Sequence, residues 1–291
     1  MRASRLDFLA IAICTLAWGT TWYFVTLQLG TVDPMVSVVY RFVLATVLLF
    51  AWCVARREPV VMSPRQHAMT AGLGLFGFTL SYAFTYEAET RVVSAVVAVL
   101  FASLAFLNLV VFRVLGQRAR PLAWGAAALG AAGVGLLSWG EIAQTGRAAR
   151  PIGGIVLALL GVVATAVSNV FARRGQEAGS PLAASTAWAN LYGTLFLVGY
   201  VVASGRTWSF EPTPRYVLSL LYLAAIGSTV AFLLYFHVAR SRGYTTASYI
   251  LALTPILAMT MSTLFEGKRW NAMGIGGVAI VLLGQWMLLR A

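Results

Sequence analysis

Charge is what this sequence has least of. Only 10% of its 291 residues are Asp, Glu, Lys or Arg, against about a quarter in soluble globular domains, and that shortfall excludes an ordinary water-soluble globule. Cysteine is nearly absent too. Cys14 and Cys53 both fall in apolar runs, where a thiol behaves as a small buried hydrophobe, so neither a disulfide framework nor a metal set follows. The sequence has no His-Glu-x-x-His helix, no Gly-x-Ser-x-Gly elbow and no phosphate-cradling glycine loop with its lysine. Their absence removes the common zinc-hydrolase, serine-hydrolase and nucleotide chemistries and leaves no catalytic residue, metal or cofactor to assign. No polar stretch is long enough for a soluble domain that carries another activity.

Apolar residues fill the chain instead, at 60% of the total. A bilayer core of about 30 Å needs roughly 20 apolar residues in a helix. Ten such windows fall near 7–28, 34–55, 67–87, 92–113, 120–139, 152–172, 181–204, 214–239, 245–265 and 271–290. Proline marks many of the starts, at Pro34, Pro121, Pro181 and Pro214, because the first helical turn has no partner for the missing N–H in any case. The opening residues 1–5 and the apolar run behind them imitate a signal peptide. That run is too long for one, however, and carries Trp18, Trp22 and Tyr23 with no small-x-small site before Asp33, so it reads as a permanent helix.

The formal charge of +12 invites a nucleic-acid reading, but the basic residues sit in short loops between apolar spans rather than along one polar face. They report orientation. Apart from Arg41, thirteen Lys and Arg fall on the side of the termini and seven on the other, which also holds six of the nine acids. Positive residues concentrate in cytoplasmic loops, so both termini are expected in the cytoplasm. The layout of residues 100–135, an apolar helix, a polar turn and a glycine- and alanine-rich helix, returns at 254–284. Two related halves, 1–145 and 146–291, follow. Five crossings per half force the second to enter the membrane upside down. The expected fold is therefore an all-α integral membrane protein of ten transmembrane helices arranged as two inverted five-helix repeats, a recurrent basis of secondary transporters.

Arg41-Phe42 with the leucine-rich run behind it, Gly227-Ser228, Pro255, Glu266-Gly267-Lys268 and the spacing of Gly277 and Gly284 together resemble the ten-helix branch of the drug/metabolite transporter superfamily, the EamA type. Over nearly its whole length the chain looks most like bacterial exporters of aromatic and other amino acids. The resemblance implies a multi-pass protein of the bacterial inner membrane, a monomer or weak homodimer. It would carry amino acids such as Phe, Trp, Met and Thr outward by alternating access and would not be an enzyme. Efflux of other small metabolites or drugs by the same fold is an alternative, and an intramembrane enzyme or receptor is one of another class. In the first half, Phe101 stands where the pattern has the proline matching Pro255.

Ionisable groups inside a membrane are costly and mark function. Arg41 lies about 10 Å along its helix from Pro34, deep enough for its guanidinium to receive a substrate carboxylate in a bidentate contact. Glu87 and Glu89 fall at the outer end of the third helix, where water is expected to solvate them, and His237 reads as an interfacial histidine. The interior then holds no other charge and no buried acid, which argues against proton-driven efflux of cations. Trp22, Tyr23, Trp52, Trp139, Trp208, Trp270 and Trp286 read as interfacial anchors. By helical rise Trp18, Phe101 and Trp188 lie roughly 10–16 Å from their helix starts, at depths an interface does not explain. Phe78 with Tyr82, and Ser228 with Phe232, share helix faces at i, i+4 spacing, and Tyr249 precedes Pro255. Pro255 frees a carbonyl near Leu251, and the expected break would line a cavity. The candidate substrate-binding set is Trp18, Arg41, Phe78, Tyr82, Phe101, Trp188, Ser228, Phe232, Tyr249 and Pro255. Small residues in the fifth and tenth helices suit close packing or a dimer contact.

Overall fold

The computed structural model describes residues 5–145 and 149–290. Among them the chain forms ten helical rods, α1 (Arg5–Thr26), α2 (Pro34–Ala55), α3 (Pro64–Glu89), α4 (Ser94–Val114), α5 (Pro121–Thr145), α6 (Ala149–Glu177), α7 (Leu182–Ala203), α8 (Pro214–Arg242), α9 (Tyr244–Phe265) and α10 (Ala272–Leu289). Eight are long and apolar enough to cross a membrane, and the apolar segments Thr254–Phe265 and Ala272–Leu288 supply two shorter ones. Their outer faces present Leu16, Val47, Leu160, Leu195, Leu218 and Ile275, side chains that hydrocarbon tolerates. A helix satisfies its own backbone, as the bilayer requires.

Local chemistry sets the starts. Asp33 accepts from the Met35 N–H at 2.8 Å, Thr213 accepts from the Tyr216 N–H, and Pro34 and Pro214 each follow at the first turn. Ser63 and Gln66 form a reciprocal capping box, which starts α3 at Pro64, earlier than hydropathy suggests. Between α8 and α9 only Gly243 intervenes. Its φ of +91° is open to glycine at little cost and lets the chain reverse within one residue.

Two rods carry a π-helical stretch at matching depths, Gly74–Leu80 in α3 and Leu223–Val230 in α8. In each, a threonine hydroxyl turns back to the carbonyl five residues earlier, Thr79 to Gly74 (3.4 Å) and Thr229 to Ala224 (2.9 Å). The expected proline break does not form: α9 runs through Pro255, and the Thr254 hydroxyl donates to the Leu251 carbonyl at 2.9 Å, which occupies the acceptor that proline frees. α4 is the interrupted rod, at Ser103, between Ser94–Ala102 and Leu104–Val114.

The main helix contacts are symmetric under exchange of the halves. α2 packs on α7, α4 on α9 and α5 on α10, each on its own counterpart. Unlike pairs come in matched sets: α1 with α8 and α3 with α6, α1 with α9 and α4 with α6, α2 with α8 and α3 with α7. The expected junction of the halves, at 145/146, abuts residues 146–148 and lies outside the described residues. The glycines of α5 and α10 serve to pack these two helices on each other. A Cβ on Gly133 would lie 2.7 Å from the Gly277 carbonyl oxygen, and one on Gly277 would lie 2.6 Å from the Leu137 nitrogen.

Candidate functional site

α1, α2, α3, α4, α6, α8 and α9 enclose a central cavity of about 90 Å³. A water needs about 10–15 Å³ by the same measure, so there is room for roughly six to nine waters. Aromatic rings form the walls. Trp18 lies 5.2 Å from both Phe232 and Tyr235 between ring centres, Phe78 lies 4.7 Å from Phe232, and Trp22 lies 5.2 Å from Phe101. A polar bank interrupts them, where Ser81 and Thr165 share a hydrogen bond of 2.7 Å and the Tyr235 hydroxyl donates to Asn169 at 3.2 Å.

Arg41 projects into this cavity from α2 and is 2% exposed. Its Nε donates to Ser228 Oγ at 2.8 Å, Nη1 to the Tyr86 hydroxyl at 3.2 Å and Nη2 to the Tyr82 hydroxyl at 3.5 Å, while the guanidinium carbon sits 4.9 Å from the centre of the Tyr82 ring. Gly227 makes the approach possible, because a Cβ there would come within 3.2 Å of Nη2. Every one of these partners is neutral. None of the ion pairs among the described residues includes Arg41. A buried cation held by hydroxyls and an aromatic face, beside an open space, is poised to take an anion.

Six of the ten expected site residues, Trp18, Arg41, Phe78, Tyr82, Phe101 and Phe232, line this one cavity. Ser228 stands behind it and holds Arg41. Trp188 belongs elsewhere: its indole donates to the Val60 carbonyl at 2.9 Å and meets His67 at 4.9 Å between ring centres, beside the loop before α3 and away from the cavity. Pro255 is buried in α9 without lining the cavity, and the Tyr249 side chain lies outside the described residues. Two readings are corrected. Trp22 is 8% exposed and part of the cavity wall rather than an interfacial anchor, one helical turn from Trp18. Glu89 is not solvated but 8% exposed, because α3 packs its last turns against α2, α4 and α6.

The cavity is closed differently at its two ends. Away from the termini, Gln28 donates to the Tyr216 carbonyl and to Ser219, Ser37 pairs with the Tyr216 hydroxyl at 2.9 Å, and Ser94 donates to Glu266 at 2.7 Å, with Ser262 bonded to the same carboxylate. Asp33 with Arg206 and Glu141 with Lys268 add ion pairs there. Toward the termini, Leu73 and Phe236 border both the central cavity and a small void, and Arg240 with Tyr244 border that void and a vestibule of about 500 Å³. Two layers of side chains separate solute space from that mouth.

The chain is 26% identical over 296 residues to the uncharacterized inner membrane transporter YedA of Escherichia coli K12, covering 96% of this chain and 92% of that one. It is 27% identical over 255 residues to an uncharacterized transporter of Archaeoglobus fulgidus, covering 85% of each. A solved crystal structure superimposes with a TM-score of 0.73 over 98% of this chain and 96% of the other, at 19% identity, a likeness of fold. The model of the EamA-like transporter family matches twice, over residues 6–139 and again over residues 152–290. With both halves matched, the chain belongs to the EamA-like transporter family of the drug/metabolite transporter superfamily.

Proposed function

We propose that this protein carries small solutes with a carboxylate and an apolar body across the bacterial inner membrane, and that amino acids such as Phe, Trp, Met and Thr are its substrates, moved outward. The observation that carries the reading is Arg41: a buried guanidinium with neutral partners only, facing a cavity walled by Trp18, Trp22, Phe101 and Phe232. A solute carboxylate would take the fork of the guanidinium, and its apolar part would lie against the rings. Alternating access follows from two halves in inverted orientation, a reading supported by the exchange symmetry of the helix packing and by the paired π-helical stretches. The positive-inside balance supports cytoplasmic termini, and with them a vestibule of about 500 Å³ that opens to the cytoplasm.

The test is uptake of radiolabelled L-phenylalanine into proteoliposomes, competed by unlabelled amino acids and by phenethylamine, which keeps the ring and ammonium but lacks the carboxylate. Phenylalanine, tryptophan, methionine and threonine should compete and phenethylamine should not. Equal competition by phenethylamine would remove the role given to Arg41. Transport of cationic amines without amino-acid flux would move the assignment to drug efflux.

A further inference from the structure

α3 ends one turn beyond the cavity wall, at Glu89. The residue is 8% exposed, and neither carboxyl oxygen has a hydrogen-bond partner among the described residues. An acid held in this way is expensive in either form unless it is used, and its place relative to Arg41 shows a use. Arg41 donates to the Tyr86 hydroxyl, and Glu89 lies three residues further on the same face of α3. The charged groups whose fields reach Glu89 are Arg41 on α2 and Glu266 at the far end of α9; the Tyr86 phenol faces it on its own helix. From the other elements packed on this end of α3, residues 94–102 of α4 and 151–165 of α6 bring no titratable side chain. Glu87, on the next turn face, is occupied by Arg91 at 3.0 Å.

We propose that Glu89 is a proton-binding site that ties solute movement to the transmembrane proton gradient. The carboxylate takes a proton from water at one end of the transport path and returns it to water at the other, and no other bond is made or broken. A solute carboxylate docked on Arg41 and an ionised Glu89 draw on the same guanidinium, so occupancy of one site alters protonation of the other. That reciprocal effect is the linkage that coupling needs. The sealed end, with Glu266, Ser94 and Ser262 across from Glu89, is where opening would admit water to it.

The proposal rests on the transport reading but not on the identity of the solute, and its test has two arms. Dicyclohexylcarbodiimide enters apolar interiors and reacts with protonated carboxyls. In purified full-length protein it should label Glu89 in preference to the water-facing Glu177, and labelling should fall as pH is raised; the adduct is located by mass spectrometry of peptides. In proteoliposomes, a gradient of one pH unit should shift the L-phenylalanine accumulation ratio by about tenfold for one coupled proton. Glu89→Gln should abolish that shift, and Glu89→Asp, which keeps the carboxyl, should retain part of it. No adduct at Glu89 at any pH, labelling indifferent to pH, or wild-type phenylalanine flux that ignores the gradient overturns the proposal. Absence of any phenylalanine flux counts against the amino-acid reading alone, and the labelling arm then decides for Glu89. Should Glu89→Gln fail to fold, the wild-type arms still decide.

Discussion

Replacing Arg41 by Met separates recognition from stability, because no carboxylate is ion-paired with it among the described residues. Hydrogen bonds from a charged donor contribute about 1.5–3 kcal/mol each, so a bidentate fork on a solute carboxylate is worth about 3–6 kcal/mol before the solute is dehydrated. Taking the lower end, its loss weakens binding by about 3 kcal/mol, roughly a hundredfold in half-saturating concentration. Breaking a buried ion pair costs about 3–5 kcal/mol because a lone charge remains, and that cost does not arise here. Ser228, Tyr82 and Tyr86 are neutral, and waters in the adjoining cavity can replace the guanidinium. The Arg41→Met protein should therefore fold, with a stability change below about 2 kcal/mol, and fail to transport at wild-type concentrations. Arg41→Lys keeps the charge but not the planar fork, and should lose about tenfold. The assays are the concentration dependence of phenylalanine uptake and thermal unfolding followed through the nine tryptophans. Wild-type affinity in a correctly inserted Arg41→Met protein, or its unfolding in detergent, refutes the reasoning.

Gly277→Val should destabilise by about 1–3 kcal/mol, because its Cβ meets backbone atoms of Leu137 and Gly133 that cannot swing aside. Gly276→Ala, whose nearest neighbour is a Leu136 methyl at 3.5 Å, should be neutral in the same melt. Lys268→Met removes the 2.7 Å partner of the buried Glu141 and should cost about 3–5 kcal/mol, most of it recovered by adding Glu141→Leu. Phe101→Ala opens the cavity wall beside Trp22 and should shift the preference between tryptophan and methionine by roughly tenfold. A fall in both fluxes that merely follows protein abundance would make Phe101 a packing residue.

The ten helices were legible because hydropathy and proline placement report the one constraint a bilayer enforces, internal satisfaction of the backbone. Arg41 was legible for a related reason: a lone cation in an apolar run has few explanations. Glu89 was not, since the run gives no sign that α2, α4 and α6 close over the end of α3. Trp22 carried a readable signal that depth alone obscured, its i, i+4 relation to Trp18, which puts both rings on one face of α1. Trp188 shows the converse, as helical rise along α7 said nothing of the direction in which its indole points, which is toward the loop before α3. Pro255 misled because its effect depends on a neighbour, and the Thr254 hydroxyl occupies the carbonyl that proline would otherwise leave free.

The π-helical stretches explain why the site could not be drawn on a regular helical wheel. Each α-helical residue advances the face by about 100°, and a π turn accommodates one residue more, so everything beyond it is rotated by about that angle against the helix before it. In α3 the stretch Gly74–Leu80 precedes Ser81, Tyr82, Thr85 and Tyr86, and in α8 the stretch Leu223–Val230 precedes Phe232, Tyr235 and Phe236, all of which face the cavity. The rotation aims these side chains inward, while the first turns of the same helices are left to pack against other neighbours. It also carries Glu89 toward the field of Arg41. The same loosened turns set down Gly74 against Gly193 of α7 and Gly227 against Thr21 of α1, both closer than a Cβ allows. Recognition and some of the close helix contacts between the halves are thus built from the same two irregular segments, and a solute that moves Arg41 presses directly on contacts along which the halves would rock.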